Sequence, residues 1–216
     1  MSLQLPPFEP IPAPTKECQL IEVAVASLHP TQMCVGLAEV LHRRKDFAAD
    51  SIEKRRKYLK SKPVPMVLSG GGEYWMVDRH HRLRGLLELD PAATAWGYVA
   101  LELTCKQPEQ VLAALQQKGW LYLYNGRGLG PQPLSALPSS LSGLQDDPFR
   151  SLVWKLKQEG VIEAAPLIPF HEFRWGAWLR RKSLPPFSSM QLDPALPAAR
   201  AYARSAAASR LSGWKG

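Results

Sequence analysis

Five consecutive polar residues, Asp78, Arg79, His80, His81 and Arg82, stand where an apolar strand pattern gives way to leucines at helical spacing. At a helix start the first backbone amides lack intrahelical partners and the helix dipole is positive, so an anion is favoured there. Arg82 and Arg79 add planar guanidinium forks suited to phosphate oxygens, and His80 and His81 add further donors. Asp78 is a poor phosphate contact by itself. It suits a magnesium ligand set between protein and phosphates, or a base toward a hydroxyl acceptor. These types at this spacing point to phosphoryl transfer. A lone Asp before a helix is more often an ordinary N-cap worth about 1 kcal/mol. Neighbouring histidines diverge around a helix, and with no cysteine beside them His80 and His81 make a poor zinc pair.

The elements around this cluster follow from periodicity. Gln19 to Leu28 alternates as a strand, and His29-Pro30 ends it. Thr31 is placed to cap a helix carrying Met33, Leu37, Val40 and Leu41, with Gly36 inside it as a point of close approach, and the helix is expected to end in the basic run His42 to Lys45. Asp50 and Glu53 open a second, surface helix from Ser51 to Lys60. Pro63 to Leu68, a turn at Ser69 to Gly72, and Glu73 to Val77 then read as a hairpin that delivers the chain to Asp78. Tyr98 to Thr104 is the next strand, and Pro108 starts a helix closed by Lys118-Gly119. Trp120, Tyr122 and Tyr124 alternate with leucines as packing residues. Strand signals then disappear. Helices start at Asp147-Pro148 and Pro169, with Trp154, Trp175 and Trp178 in their core, and His171, Glu172 and Arg174 read as a surface face.

Composition bounds the function classes. Of 216 residues, 45% are hydrophobic and 21% charged, which excludes wholesale disorder and a coiled coil. No apolar run approaches the roughly 18 residues of a membrane span, and Pro6, Pro7, Pro10, Pro12 and Pro14 occupy the place of a signal peptide, so a cytoplasmic protein without membrane association is expected. Cys18, Cys34 and Cys105 are odd in number and unpaired in spacing, which argues for free thiols. The net charge of +8 is concentrated in two blocks. Residues 42 to 62 hold nine bases against three acids, and residues 150 to 216 hold eleven against four. Within the first block Arg43, Arg44, Lys54, Arg55 and Arg56 are candidates for contact with a nucleic acid backbone, although solvated helix faces explain such a run equally simply.

The run Val77-Asp78-Arg79-His80-His81-Arg82 resembles the signature of the ParB/sulfiredoxin superfamily, specifically its putative ParB-like nuclease family. His29-Pro30-Thr31-Gln32 with Val35-Gly36, Pro63 to Leu68, Asp146 to Trp154, and Pro169-Phe170 through Trp175 carry the same resemblance over about residues 20 to 182. Sulfiredoxins have Gly-Cys-His-Arg where this chain has Arg79-His80-His81-Arg82, and without that thiolate their chemistry is not expected. The superfamily's free serine kinases have Asp-Gly-His-His-Arg, matched at Asp78, His80, His81 and Arg82 but not at Arg79. Their Pro-His-Glu motif falls on Pro30-Thr31-Gln32, where Gln32 cannot serve as a general base. Chromosome-partition ParB proteins bind nucleotide through an arginine-rich version of the same loop and add a helix-turn-helix domain, which nothing here matches.

The resemblance implies an α/β (α+β) fold: a ParB/sulfiredoxin-like small mixed sheet with helices over residues 17 to 130. A Pro-rich flexible arm would precede it at residues 1 to 16. A helical extension would pack on it at 131 to 190, followed by a basic Ala/Arg-rich tail at 191 to 216. Asp78, His80 and His81 are the expected catalytic residues. Arg82, Arg79, Gln32 and Thr31 would bind phosphate or nucleotide, and Asp78 would hold magnesium with a nucleoside di- or triphosphate. A DNA-binding ParB-like nuclease or chromosome-partition-associated module, and a non-catalytic scaffold, are the alternatives.

Overall fold

The computed structural model describes residues 8–15, 17–165 and 168–216. Its elements in chain order are β1 (Ile21–Ala24), β2 (His29–Pro30), β3 (Cys34–Val35), α1 (Leu37–Ala49) and α2 (Ile52–Ser61). The hairpin strands β4 (Val64–Leu68) and β5 (Tyr74–Met76) precede α3 (His80–Leu89), β6 (Thr94–Glu102) and α4 (Pro108–Gln117). Then come β7 (Gln145–Asp146), α5 (Pro148–Gln158), α6 (His171–Leu179) and α7 (Leu196–Arg204). The fold is mixed α/β. Five strands pair in the order β1-β6-β4-β5-β2, and β3 and β7 pair separately in parallel. No helix among the described residues is long and apolar enough to cross a membrane.

Period-two alternation splits the core across the main sheet. Val64, Met66 and Met76 face one way and pack with Val40, Phe47, Leu83 and Leu86 of α1 and α3. Val67 and Trp75 face the other way and meet Val111, Leu112 and Leu115 of α4. A third cluster joins α5, α6 and α7 through Leu152, Leu156, Trp175, Leu179, Ala199 and Ala203. Helix α3 lies close on α1 because Gly85 lacks a side chain: a Cβ there would sit 2.7 Å from the Val40 carbonyl oxygen. Buried apolar area of this extent is the main stabilising term of such a domain.

Several boundaries differ from the periodicity reading, each for a tertiary reason. Strand β1 stops at Ala24 because its partner β6 begins opposite it at Thr94, and Val25–Ser27 turns into a 3-10 helix. Helix α1 begins at Leu37 rather than after Thr31, since Cys34 and Val35 are drawn into pairing with β7. It runs past the basic residues to Ala49 because Phe47 is buried. Ser51, not Asp50, caps α2 by accepting from the Lys54 amide. Residues 120 to 124 form no strand. A single parallel bridge ties Tyr122 to Gln32, and the rings pack as expected. Of the proline-rich arm, residues 1–7 and 16 lie outside the described residues. Glu9 is held by Lys118 and Trp120, and the Pro12 carbonyl accepts from the Tyr98 hydroxyl. At the other end, within the Ala/Arg-rich segment, α7 is packed, with Ala199 and Ala203 fully buried.

Candidate functional site

The hairpin β4–β5 ends at Met76, and the chain enters α3 through Arg79, which adopts φ 76°, in the left-handed region that a residue with a Cβ visits at a cost of about 1–2 kcal/mol. No side chain caps α3. Its start opens onto a cavity of about 360 Å³ that is closed by the first turn of α1, by α5, and by the start of α6. Asp78, Arg79, His80, His81, Arg82 and Gln32 all line it, as do Glu39, Arg43, Arg150, Lys157, Glu172 and Phe173. Thr31 does not. It is fully buried, with its hydroxyl donating to the Met76 carbonyl oxygen at 2.8 Å.

The two histidines are anchors for the loop that leads into α1. The Thr31 amide donates to His80 Nε2 at 3.2 Å, and the Gly36 amide donates to His81 Nε2 at 2.9 Å. An acceptor nitrogen is unprotonated, so each ring is neutral with its hydrogen on Nδ1. Burial is the first cause that drives the His81 pKa down to about 3, with Arg150 adding to it, and burial likewise holds His80 well below its ordinary value. The expected donation from these imidazoles to phosphate is replaced, at Nε2, by acceptance from backbone. The same loop leaves α1 without a cap of its own. Its Leu37 and Ala38 amides are satisfied by Asp146 Oδ1 and Ser151 Oγ, both at 3.1 Å. Gly36 permits this approach, since a Cβ would lie 2.6 Å from the Ser151 amide nitrogen.

The floor is a charged network. The Arg150 guanidinium lies 3.8 Å above the Phe173 ring, 2.8 Å from Glu172 Oε2 and 3.5 Å from His81 Nε2, while its Nε is buried with no partner. Lys157 donates to the other Glu172 oxygen. Burial alone would raise the Glu172 carboxyl, but Arg150 and Lys157 overcome it and hold the group well below the carboxylate range. Glu39 behaves in the opposite way. Its carboxylate accepts weakly from Arg43 at 3.5 Å and faces His81 Nδ1 at 3.7 Å. Burial, then the negative charge of Glu172, pushes its pKa up to about 7.

The rim is more exposed. Asp78 Oδ1 accepts from the Arg79 amide at 2.7 Å, and its Oδ2 lies 3.1 Å from Arg79 Nη1. Arg82 donates to the Lys62 carbonyl at 3.1 Å and sits over the Tyr58 ring, with its Nε buried and unpartnered. Gln32 donates to the Cys34 carbonyl at 2.7 Å.

Magnesium usually binds through one or two carboxylates plus substrate phosphates. Asp78, half exposed at the mouth, fits that use. Glu39, His81 and Glu172 also converge, but they do not fit a cation: His81 Nδ1 carries its proton, and Glu172 is committed to two cationic side chains. The nucleic acid candidates are mostly occupied. Arg43 points to Glu39 and Asp46, Lys54 pairs with Asp50, Arg55 donates to the Asp50 carbonyl, and Arg56 holds Glu22, while Arg44 is exposed.

Sequence reasoning did not assign Glu39, Arg150, Lys157 or Phe173 a role, and it placed Glu172 on a surface face. The signal was present in the motif segments Asp146 to Trp154 and Pro169 to Trp175, which carry no chemistry until α5 and α6 are set against α3.

The profile of the family described as "Putative ParB-like nuclease" matches residues 21–181. The crystal structure of protein Atu1540 from Agrobacterium tumefaciens is similar, with a TM-score of 0.78 and 27% identity over 92% of this chain and 98% of that chain. No curated protein matches. The matched span contains α1, α3, α5 and α6, whose side chains build the cavity, and the chain belongs to the putative ParB-like nuclease family.

Proposed function

We propose that the cavity binds a phosphate-bearing ligand, a nucleoside di- or triphosphate, and that the chain transfers or hydrolyses a phosphoryl group there. The observation that supports this most is the convergence of Arg43, Arg79, Arg82, Arg150 and Lys157 on one cavity, with the Nε atoms of Arg79, Arg82 and Arg150 buried and unpartnered. A buried donor without a partner is costly, and an anionic ligand would relieve that cost. The α3 amides and Arg79 and Arg82 would receive phosphates at the mouth, and Arg150 and Lys157 would meet a transferring group at the floor by sharing their bonds to Glu172. Asp78 would hold a magnesium ion that arrives with the phosphates and neutralises their charge. A phosphodiester strand offers the same groups, and the family's description favours it as the second substrate class.

Thermal unfolding of the full chain with ATP, ADP and CTP, with and without magnesium, and with a short single-stranded oligonucleotide, tests the reading. A binding nucleotide at 100 times its dissociation constant adds about 2.7 kcal/mol of stability. Asp78→Ala and Arg79→Ala should each reduce the shift. If no nucleotide and no oligonucleotide moves the transition, the cavity is not a phosphate site. Oligonucleotide binding that weakens steeply with salt, without nucleotide binding, would move the assignment to the second class.

A further inference from the structure

Phosphoryl transfer to a hydroxyl or to water requires a group that takes the nucleophile's proton, and the cavity limits the choice. His80 and His81 present Nε2 atoms already engaged by the Thr31 and Gly36 amides. Glu172 is bound at both oxygens by Arg150 and Lys157. Asp78 lies at the half-exposed mouth, paired with Arg79, where magnesium and phosphates would gather. Gln32 has no basic group. Glu39 remains: a cavity-lining carboxylate whose side chain is 13% exposed and whose cationic partner, Arg43, reaches one of its oxygens only at 3.5 Å.

Resting on the phosphate reading above, we propose that Glu39 is the general base of this site. A water or alcohol oxygen attacks phosphorus, the new oxygen–phosphorus bond forms, and the bond from phosphorus to the bridging oxygen breaks. The leaving phosphate keeps that electron pair, compensated at the mouth by Arg79, Arg82 and the α3 amides, while Arg150 and Lys157 face the transferring group. The proton of the nucleophile ends on the Glu39 carboxylate. Around it stand Arg43 from its own helix, His81 from α3, Arg150 and Lys157 from α5, and Glu172 from α6. His81 is neutral, with Nδ1–H facing Glu39 Oε2 at 3.7 Å, so it leaves the carboxylate's charge uncompensated. The position of the Glu39 pKa, about 7, is where a base accepts a proton readily and is still substantially ionised at neutral pH.

The experiment measures release of inorganic phosphate from the nucleotide that binds, as a function of pH, together with nucleotide affinity. The unaltered chain should show kcat rising toward a plateau above about pH 7. Glu39→Gln should lower kcat by 100-fold or more, remove that limb, and leave nucleotide affinity within about threefold, since positioned acid–base groups contribute about 10²–10⁴-fold. Glu39→Asp should retain part of the rate and the pH limb. Glu39→Gln removes a like charge beside Glu172, so a melting temperature at or above that of the unaltered chain confirms folding. Undiminished turnover in a folded Glu39→Gln chain overturns the inference. So does an unaltered chain that binds nucleotide and turns none over, an outcome that leaves the cavity's ligand assignment standing. Absence of both nucleotide and oligonucleotide binding removes both.

Discussion

The rim and the floor of the cavity hold the same residue types under different physics. At the rim Asp78 and Arg79 form an ion pair with side chains 51% and 38% exposed, whereas on the floor Arg150 and Glu172 pair at 5% and 19%. Water screens the first pair, so it contributes little to folding and its members are free to exchange partners with a ligand. The second pair is desolvated: each charge depends on the other, and an uncompensated member is costly. On the proposed reading, ligand capture would belong to the rim. Registration of α5 against α6, and through His81 against α1, belongs to the floor.

The largest effect should come from breaking the floor. Arg150→Ala removes the partner of a buried carboxylate and the cation above Phe173, and should destabilise the fold by about 3–5 kcal/mol. Urea unfolding at neutral pH checks it. Asp78→Ala, which breaks the rim pair, should move the midpoint far less. Equal losses at the two positions would erase the distinction between rim and floor.

Acid provides the next test, with its sign set by the histidines and the two glutamates. His81 falls from an ordinary 6.5 to about 3 on folding, so the unfolded chain binds the extra proton between these values and stability drops as pH falls through that window. Glu39 rises from 4.5 to about 7, so the folded chain binds the extra proton and stability drops as pH rises through that window. His80, which burial also holds well below its ordinary value, acts with His81. Between about 4.5 and 6.5 Glu39 offsets one of the two histidines, so stability declines as pH is lowered. Below 4.5 Glu39 no longer offsets them and Glu172, whose carboxyl is lowered by its cations, joins them, so the loss steepens. Chemical denaturation from pH 3.5 to 8 should show a shallow decline from 6.5 to 4.5 and a steep acid limb below it. In Glu39→Gln the decline between 4.5 and 6.5 should steepen, because both histidines are then unopposed. A decline of unchanged slope in that variant would show that Glu39 does not titrate in this range.

What the sequence made legible was local. Gly70 to Gly72 marked the hairpin, and Asp78 to Arg82 marked the strand-to-helix passage, because turn chemistry and helix starts are written within a few residues. Glu39 was illegible for the opposite reason. The start of α1 is satisfied by Asp146, Ser151 and His81, residues distant in sequence, so no local cap announced Leu37 as the first helical residue or put Glu39 in its first turn. Glu172 was read with its neighbour Arg174, whereas its partners lie across the interface on α5. The histidines were visible as a pair, but their role as acceptors depends on where the Thr31 and Gly36 amides arrive.

The smallest expected effect bears on the rim itself. Arg79 holds a left-handed conformation at the entrance to α3, at the position where the resembling kinases have glycine. Glycine there would remove about 1–2 kcal/mol of steric strain and cost about 0.5–1 kcal/mol of added unfolded-state freedom. Arg79→Gly should therefore raise stability by about 0.5–1 kcal/mol while weakening nucleotide binding. Arg79→Ala keeps the Cβ and its strain, so it should weaken binding without the gain in stability. Parallel urea unfolding and nucleotide titration of the two variants separate backbone from side chain. If Arg79→Gly is stabilised and binds as well as the unaltered chain, the guanidinium has no part in ligand capture, and the rim reduces to Asp78, Arg82 and the α3 amides.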